Sequence, residues 1–209
     1  MNLEKLPLSV SELIFKYREE LNRHLKEIYP KGPESLTKPI QYVLNGRGKR
    51  MRPILAIFTA EACGGSKDDV LTSAMAVEVL HNFTLVHDDV LDESTLRRGG
   101  ATVNRLHGVE TAVMLGDYLI SKSFHLCSRI HDPQINLALG GVTNTLCEGE
   151  LIQLSHRNDM EIDESRYFTI VQKKTASLIG ASCRLGAHLS GADEDTCTHL
   201  EQFGIASGV

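Results

Sequence analysis

Apolar residues recur at helical spacing along almost the whole chain. Within residues 12–29 they fall at Leu13, Ile14, Tyr17, Leu21, Leu25 and Ile28, the steps of three and four that build one buried helix face. Ser9 and Ser11 are candidate N-caps for this helix and Pro30 stops it. A short helix is expected over residues 36–44, then a polar turn, Asn45-Gly46-Arg47-Gly48. Pro53 suits the first turn of the next helix, which ends at Gly64-Gly65. Asp68 or Asp69 then caps a long helix to about Glu93, and residues 94–100 read as a loop. Further helices are expected over residues 110–131, 133–156, 164–190 and from Glu194 onward, a segment still helical in pattern at Val209. No alternating strand of useful length, repeat or linker interrupts the series. The pattern predicts one all-α domain over residues 1–209, a bundle of long antiparallel helices around a central cavity.

Composition narrows the function classes. With 42% hydrophobic residues in 209, the chain can bury a core and is not intrinsically disordered. A net charge of −5, 5% aromatic residues and no Trp argue against a nucleic-acid binder. Five cysteines, an odd number with no CxxC pair, are neither a disulfide framework nor a zinc ribbon. They suit reduced thiols and a cytoplasmic location. The opening MNLEKLPLSV lacks the basic-then-apolar order of a signal peptide, and no apolar stretch is long enough for a transmembrane segment.

The candidate chemistry gathers on the long helix. Glu78, His81, Leu85, Asp88 and Asp92 form one stripe at steps of three and four. The rest of that helix, including Val77, Val79, Leu80, Phe83 and Val86, is apolar. Asp88, Asp89 and Asp92 repel one another and are costly to desolvate, and a divalent cation would offset both penalties. Hard oxygen ligands of this kind suit Mg2+ shared with substrate phosphates. The plainer alternative is a solvated helix end. Two Arg-rich loops with glycines flank the helix in sequence, Gly46-Arg-Gly-Lys-Arg-Met-Arg-Pro53 before it and Leu96-Arg-Arg-Gly-Gly100 after it. Guanidinium groups bind phosphate in a bidentate way, and glycine lets backbone N–H groups approach. Either loop alone reads as solvated charge; together with the carboxylates they suggest a magnesium–diphosphate site.

In order and spacing, Gly48-Lys-Arg-Met-Arg-Pro53, His81 with His87-Asp-Asp-Val-Leu-Asp92, and Leu96-Arg-Arg-Gly99 resemble the trans-type polyprenyl diphosphate synthases. Gly116-Asp117, Gly149-Glu-Leu-Ile-Gln153 and Lys174-Thr175 extend the resemblance, which runs from about residue 10 to the last. The resemblance implies an isoprenoid-synthase-like bundle that joins isopentenyl diphosphate head to tail to an allylic diphosphate. It implies Mg2+ on Asp88 and Asp92 with Asp89 in support, and Arg97 on the allylic diphosphate. Lys49, Arg52, His81 and Arg98 would hold isopentenyl diphosphate. Gln153, Lys174 and Thr175 would face the allylic site. A homodimer is implied as well. The family's second aspartate-rich motif and its C-terminal helices have no counterpart up to Val209. The resemblance therefore implies a fragment or truncated chain, inactive on its own. Chain length is left between two residues: helical geometry selects Thr84 as the pocket floor, resemblance selects Phe83, and a bulky aromatic there implies a short product, geranylgeranyl or farnesyl diphosphate. Two other readings remain: a non-catalytic subunit of a heteromeric prenyl diphosphate synthase, and a carboxylate-bridged metal-binding bundle suggested by Glu78-x-x-His81.

Overall fold

The computed structural model describes residues 9–46, 48–65, 67–159 and 161–209, with Lys67 as backbone only. The amino-terminal segment to Leu8, whose sequence does not match a signal peptide, and Arg47 of the expected turn lie outside the described residues. The architecture is all-α. Ser9 caps α1 (Val10–Glu27) through a capping box: its Oγ accepts from the Glu12 N–H at 3.3 Å, and the Glu12 carboxylate accepts from the Ser9 N–H at 2.7 Å. Ser11 lies inside the helix. Next come α2 (Glu34–Leu44), α3 (Met51–Ala62) and α4 (Lys67–Leu91). Asp68 and Asp69, expected as caps, occupy the first turn of α4, where they favour the positive end of the helix dipole.

The expected loop after α4 folds into a small hairpin, β1 (Leu96–Arg97) paired antiparallel with β2 (Gly100–Ala101). Arg98 at φ 51 and Gly99 at φ 80 both take left-handed conformations, the type I′ turn that matches the twist of a two-residue hairpin. Strands of two residues leave no alternation to read. A short α5 (Val103–His107) precedes α6 (Val109–Cys127), and α7 (Pro133–Ser155) starts on an Asp132 cap with proline at its first position. The long helix expected over residues 164–190 is α8 (Glu164–Val171), a π-helical turn (Gln172–Ala176) and α9 (Ser177–Leu189) in direct succession. The last helix is α10 (Glu194–Gly208).

α4 is the axis of the bundle, packed against α3, α6 and α9, with α10 laid along α9. Its Val70, Ala74, Val77 and Leu80 are buried with Leu21 of α1, Ile54 of α3, Leu119 of α6, Leu139 of α7 and Leu185 of α9. Each such leucine or isoleucine contributes about 1.5–3 kcal/mol over leaving it in water. The Ser123 hydroxyl donates to the Ala76 carbonyl at 2.7 Å, a buried tie from α6 to α4. Toward its C-terminal end α4 becomes acidic, with Asp88 and Asp89 in its last turn and Asp92 just beyond it.

Candidate active site

The site is built on two sectors of α4. The first is a cationic pocket around His81. Arg52, in the first turn of α3, points its Nη1 at His81 Nε2, 3.3 Å away. A guanidinium only donates, so Nε2 accepts and the imidazole proton sits on Nδ1. Burial first, then the charges of Arg52, Arg98, Arg97 and Arg50, push the His81 pKa down to about 2, so the ring is neutral. The two arginine loops meet here: a Cβ on Gly48 would sit 3.1 Å from Nη1 of Arg98 and 3.3 Å from Nη1 of Arg50. The four guanidinium groups are not equivalent. Arg50 is paired with Glu78 at 2.5 Å, and Arg97 with Asp89 at 2.8 Å. Among the described residues Arg52 and Arg98 have no ion-pair partner, and Arg52 Nε is buried with no hydrogen bond. Two cations without carboxylate partners, half-buried Arg52 with an orphaned Nε and exposed Arg98 beside it, call for an anion. Lys49 is exposed at the rim of the same loop.

Arg50 and Glu78 are the structural members of this pocket. Glu78, read on the metal stripe, is buried and takes Arg50 Nη1 at 2.5 Å and Asn82 Nδ2 at 3.2 Å. The di-iron pattern suggested by Glu78-x-x-His81 does not form, because both members face arginines.

The second sector is acidic. Asp88 and Asp92 share a face one turn apart; Asp89 turns the other way, buried, and accepts from Arg97 Nε at 2.8 Å. This pair walls a cavity of ≈ 730 Å³ between α2, α4 and the hairpin, lined also by Tyr42, Asn82 and Thr102. Asp88 faces α7 and the π turn, where Lys174 Nζ lies 3.7 Å from it and 2.5 Å from Glu150 of α7. Burial pushes the Asp88 carboxyl up to about 6, with Glu150 and Asp92 adding to the rise and Lys174 and Arg97 opposing it. Asp92 accepts from Arg157 Nη2 at 2.9 Å. Gln153, Lys174 and Thr175 line a cavity of ≈ 500 Å³ with Asp92, Arg157 and Tyr167.

The π turn sorts the two lysines. Lys173 pairs with exposed Glu148 at 2.6 Å, while Lys174 turns inward. The turn lies so close to α7 that a Cβ on Gly149 would come within 2.8 Å of the Lys174 backbone nitrogen and of Lys173 Cβ. Glycine is required there for α7 to carry Glu150 alongside Lys174. Glu150 and Arg157 were not singled out from sequence. For Glu150 the signal was present, since it lies three residues before Gln153 on one face of α7; Arg157 lies beyond the end of that helix.

Phe83 is buried with its ring edge-on to His87, centroids 4.8 Å apart, and His87 Nε2 lies 3.1 Å from the Val113 carbonyl of α6. The Thr84 hydroxyl donates to its own helix at the His81 carbonyl, 2.8 Å away.

Asp88 and Asp92 are hard oxygen donors, and the strained ionisation of Asp88 is the condition that a bound dication relieves. The residues therefore fit Mg2+, although among the described residues no three carboxylate, imidazole or thiolate groups stand close enough to hold a metal alone. The remaining ligands would come from a bound diphosphate and water.

Comparison with known proteins shows the family. The chain is 36% identical over 206 residues to geranylgeranyl pyrophosphate synthase of Geoglobus acetivorans, covering 96% of this chain and 65% of that protein. It is 31% identical to octaprenyl diphosphate synthase of Escherichia coli, covering 98% of this chain and 62% of that one. It superposes with a TM-score of 0.91 on a polyprenyl synthase from Caulobacter crescentus solved with calcium and isoprenyl diphosphate, at 28% identity, covering 98% of this chain and 63% of that one. The chain thus spans less than two thirds of the length of each. The model of the polyprenyl synthetase family matches residues 33–209, and the chain belongs to that family.

Proposed function

We propose that the full-length gene product is a prenyltransferase that joins isopentenyl diphosphate head to tail to an allylic diphosphate, releasing pyrophosphate. The observation that carries this reading is the pairing, on one helix, of a cationic pocket with uncommitted arginines and an acidic face seven residues further on, about 10 Å along the axis. Two diphosphates seated at these ends would bring their hydrocarbon parts together above α4. Arg52, Arg98 and Lys49 would hold isopentenyl diphosphate, with neutral His81 keeping Arg52 aimed. Asp88 and Asp92 would hold Mg2+, whose charge assists departure of pyrophosphate from the allylic carbon. Asp89 fixes Arg97, which keeps free N–H groups for the allylic diphosphate. Lys174 offsets leaving-group charge, and Gln153 and Thr175 face the same cavity. The apolar side chains of α4 below Asp88 exclude water from the carbocation. The test is a radiolabelled isopentenyl diphosphate assay with geranyl and farnesyl diphosphate as acceptors. No Mg2+-dependent incorporation with any allylic acceptor would reject the assignment.

The product is proposed to be short, geranylgeranyl or farnesyl diphosphate, with Phe83 as the floor about 7.5 Å below Asp88. Phe83→Ala is expected to shift products toward longer chains by one or more isoprene units, read by chromatography of the dephosphorylated products. An unchanged distribution would move the floor to Thr84 or elsewhere.

A homodimer is proposed through α6 and α7. Val109 and Met114 of α6 are 52% and 65% exposed, and Leu137 and Leu151 of α7 are 66% and 65% exposed. Side chains of this size on the outer faces of two neighbouring helices need cover. Light scattering is expected to give twice the chain mass at micromolar concentration; a stable monomer refutes the proposal. No helix among the described residues is long and apolar enough to cross a membrane. All five cysteines are free, which supports a cytoplasmic location.

A further inference from the structure

The carboxylate of Glu150 is enclosed more completely than its chemistry favours. Both of its oxygens are shielded from solvent without a well-directed hydrogen bond. The group beside them is the Lys174 ammonium, 2.5 Å from Oε2. A buried carboxylate left without a cation is strongly unfavourable, so this contact binds Lys174 as firmly as it stabilises Glu150. The same ammonium stands 3.7 Å from Asp88. It is therefore contested by two carboxylates on different helices, and the nearer one belongs to α7. Gly149 and the π turn bring the α7 backbone close enough for that competition. If Glu150 carried no charge, the ammonium would settle on Asp88 alone and take the position and compensating charge that a dication needs.

We propose that Glu150 is a positioning residue that draws Lys174 off Asp88 and so keeps Asp88 open to a metal–diphosphate complex. The proposal rests on the reading of Asp88 and Asp92 as the metal-binding carboxylates, and it adds a residue that acts on them only through Lys174.

The experiment is a double-mutant cycle on the full-length gene product, read without turnover. The rise in melting temperature with Mg2+ at a fixed concentration of inorganic pyrophosphate gives a half-saturating Mg2+ concentration for each variant. Pyrophosphate complexes Mg2+ equally in every sample, so differences between variants report the protein. Glu150→Gln is expected to raise that concentration about tenfold when Lys174 is present, and less than about twofold in a Lys174→Gln background. An equal rise in both backgrounds would mean that Glu150 acts on the metal by its own charge, and overturns the proposal, as does no rise in either. Should Glu150→Gln not fold, Glu150→Asp takes its place, because its charge is one methylene further from Lys174. A rise of about threefold is then expected, and a wild-type value overturns the proposal. An Asp88→Asn control separates the two layers of the argument. If that variant keeps the full Mg2+ response, or the wild type shows none, the metal assignment itself fails, and the role of Glu150 with it.

Discussion

Asp88→Asn is expected to lower turnover of the full-length gene product about a thousandfold, the upper range for losing one group that stabilises transition-state charge, and at the same time to raise the melting temperature of the metal-free protein. Both effects come from one property. The carboxyl of Asp88 is raised from 3.8 to about 6, chiefly by burial. Between those values the folded chain holds the proton and the unfolded chain has released it. The contribution of Asp88 to stability is therefore complete below about 3.8 and lost as the pH rises through about 6. At neutral pH the folded protein carries a desolvated charge near Glu150 and Asp92, which Lys174 only partly offsets. Asparagine has nothing to ionise. In EDTA at pH 7.5 the variant is expected to gain about 2 kcal/mol, or about 5 °C in melting temperature. The gain should shrink as the pH falls below about 6 and be absent near 4. With Mg2+ and pyrophosphate the order reverses, because only the wild type has the ligand to gain from them. Calorimetry at two pH values, with and without EDTA, alongside the condensation assay, checks all four corners. A variant with near wild-type turnover, or one less stable in EDTA at pH 7.5, would contradict this account of Asp88.

Much of this site could be read from sequence because α4 obeys its period. Asp88 and Asp92, four apart, had to share a face, and His81 had to lie two turns below Asp88. What the period did not carry was the orientation of groups set by other elements. Asp89 is adjacent to Asp88, yet it is buried beneath Arg97 because the Arg98-Gly99 turn folds the hairpin back over α4. The sign of φ at Arg98 has no marker in the spacing of apolar residues. The π turn is similarly silent. Apolar residues from Ile170 to Leu189 keep a helical pattern through it, and the wider turn shows only in where Lys173 and Lys174 point. Glu150 stood in a run already noted for Gln153, but a carboxylate on a helix facing two lysines in sequence gives no sign of which one it meets. Thr84 was favoured as the pocket floor by an ideal helical wheel. In the fold its hydroxyl is turned back on the His81 carbonyl, while Phe83 is buried with its ring edge-on to His87.

The largest expected change in stability falls on a residue that the basic motif disguises. Arg50 sits between Lys49 and Arg52, and by residue type it is a third phosphate ligand. Its side chain is instead buried and spends its donors on the protein: Nη1 to Glu78, Nε to Asn22 Oδ1 at 3.2 Å, and Nη2 to the carbonyls of Leu44 and Gly46. These bonds hold the end of α2, the start of α3 and the middle of α4 together. They also maintain Arg50 at φ 54, an uncommon conformation for a side-chain-bearing residue. Arg50→Met would leave Glu78 buried without its cation and the Leu44 carbonyl at the end of α2 without the Arg50 donor. A loss of about 3–5 kcal/mol is expected, seen as a fall in urea midpoint with an unchanged m-value. Adding Glu78→Leu should recover part of the loss, since an apolar pair satisfies the buried volume without a lone charge. Recovery should stay incomplete, because the Leu44 carbonyl and Asn22 Oδ1 still lack the Arg50 donor. Arg52→Met, two residues on, removes a half-buried cation whose Nε has no hydrogen bond. It is expected to leave stability unchanged or raised while weakening isopentenyl diphosphate binding. The two variants divide one short motif into a residue that builds the pocket and a residue that uses it. A destabilisation under about 1 kcal/mol for Arg50→Met, the usual range of a surface ion pair, would show that Arg50 is not the clamp of this loop.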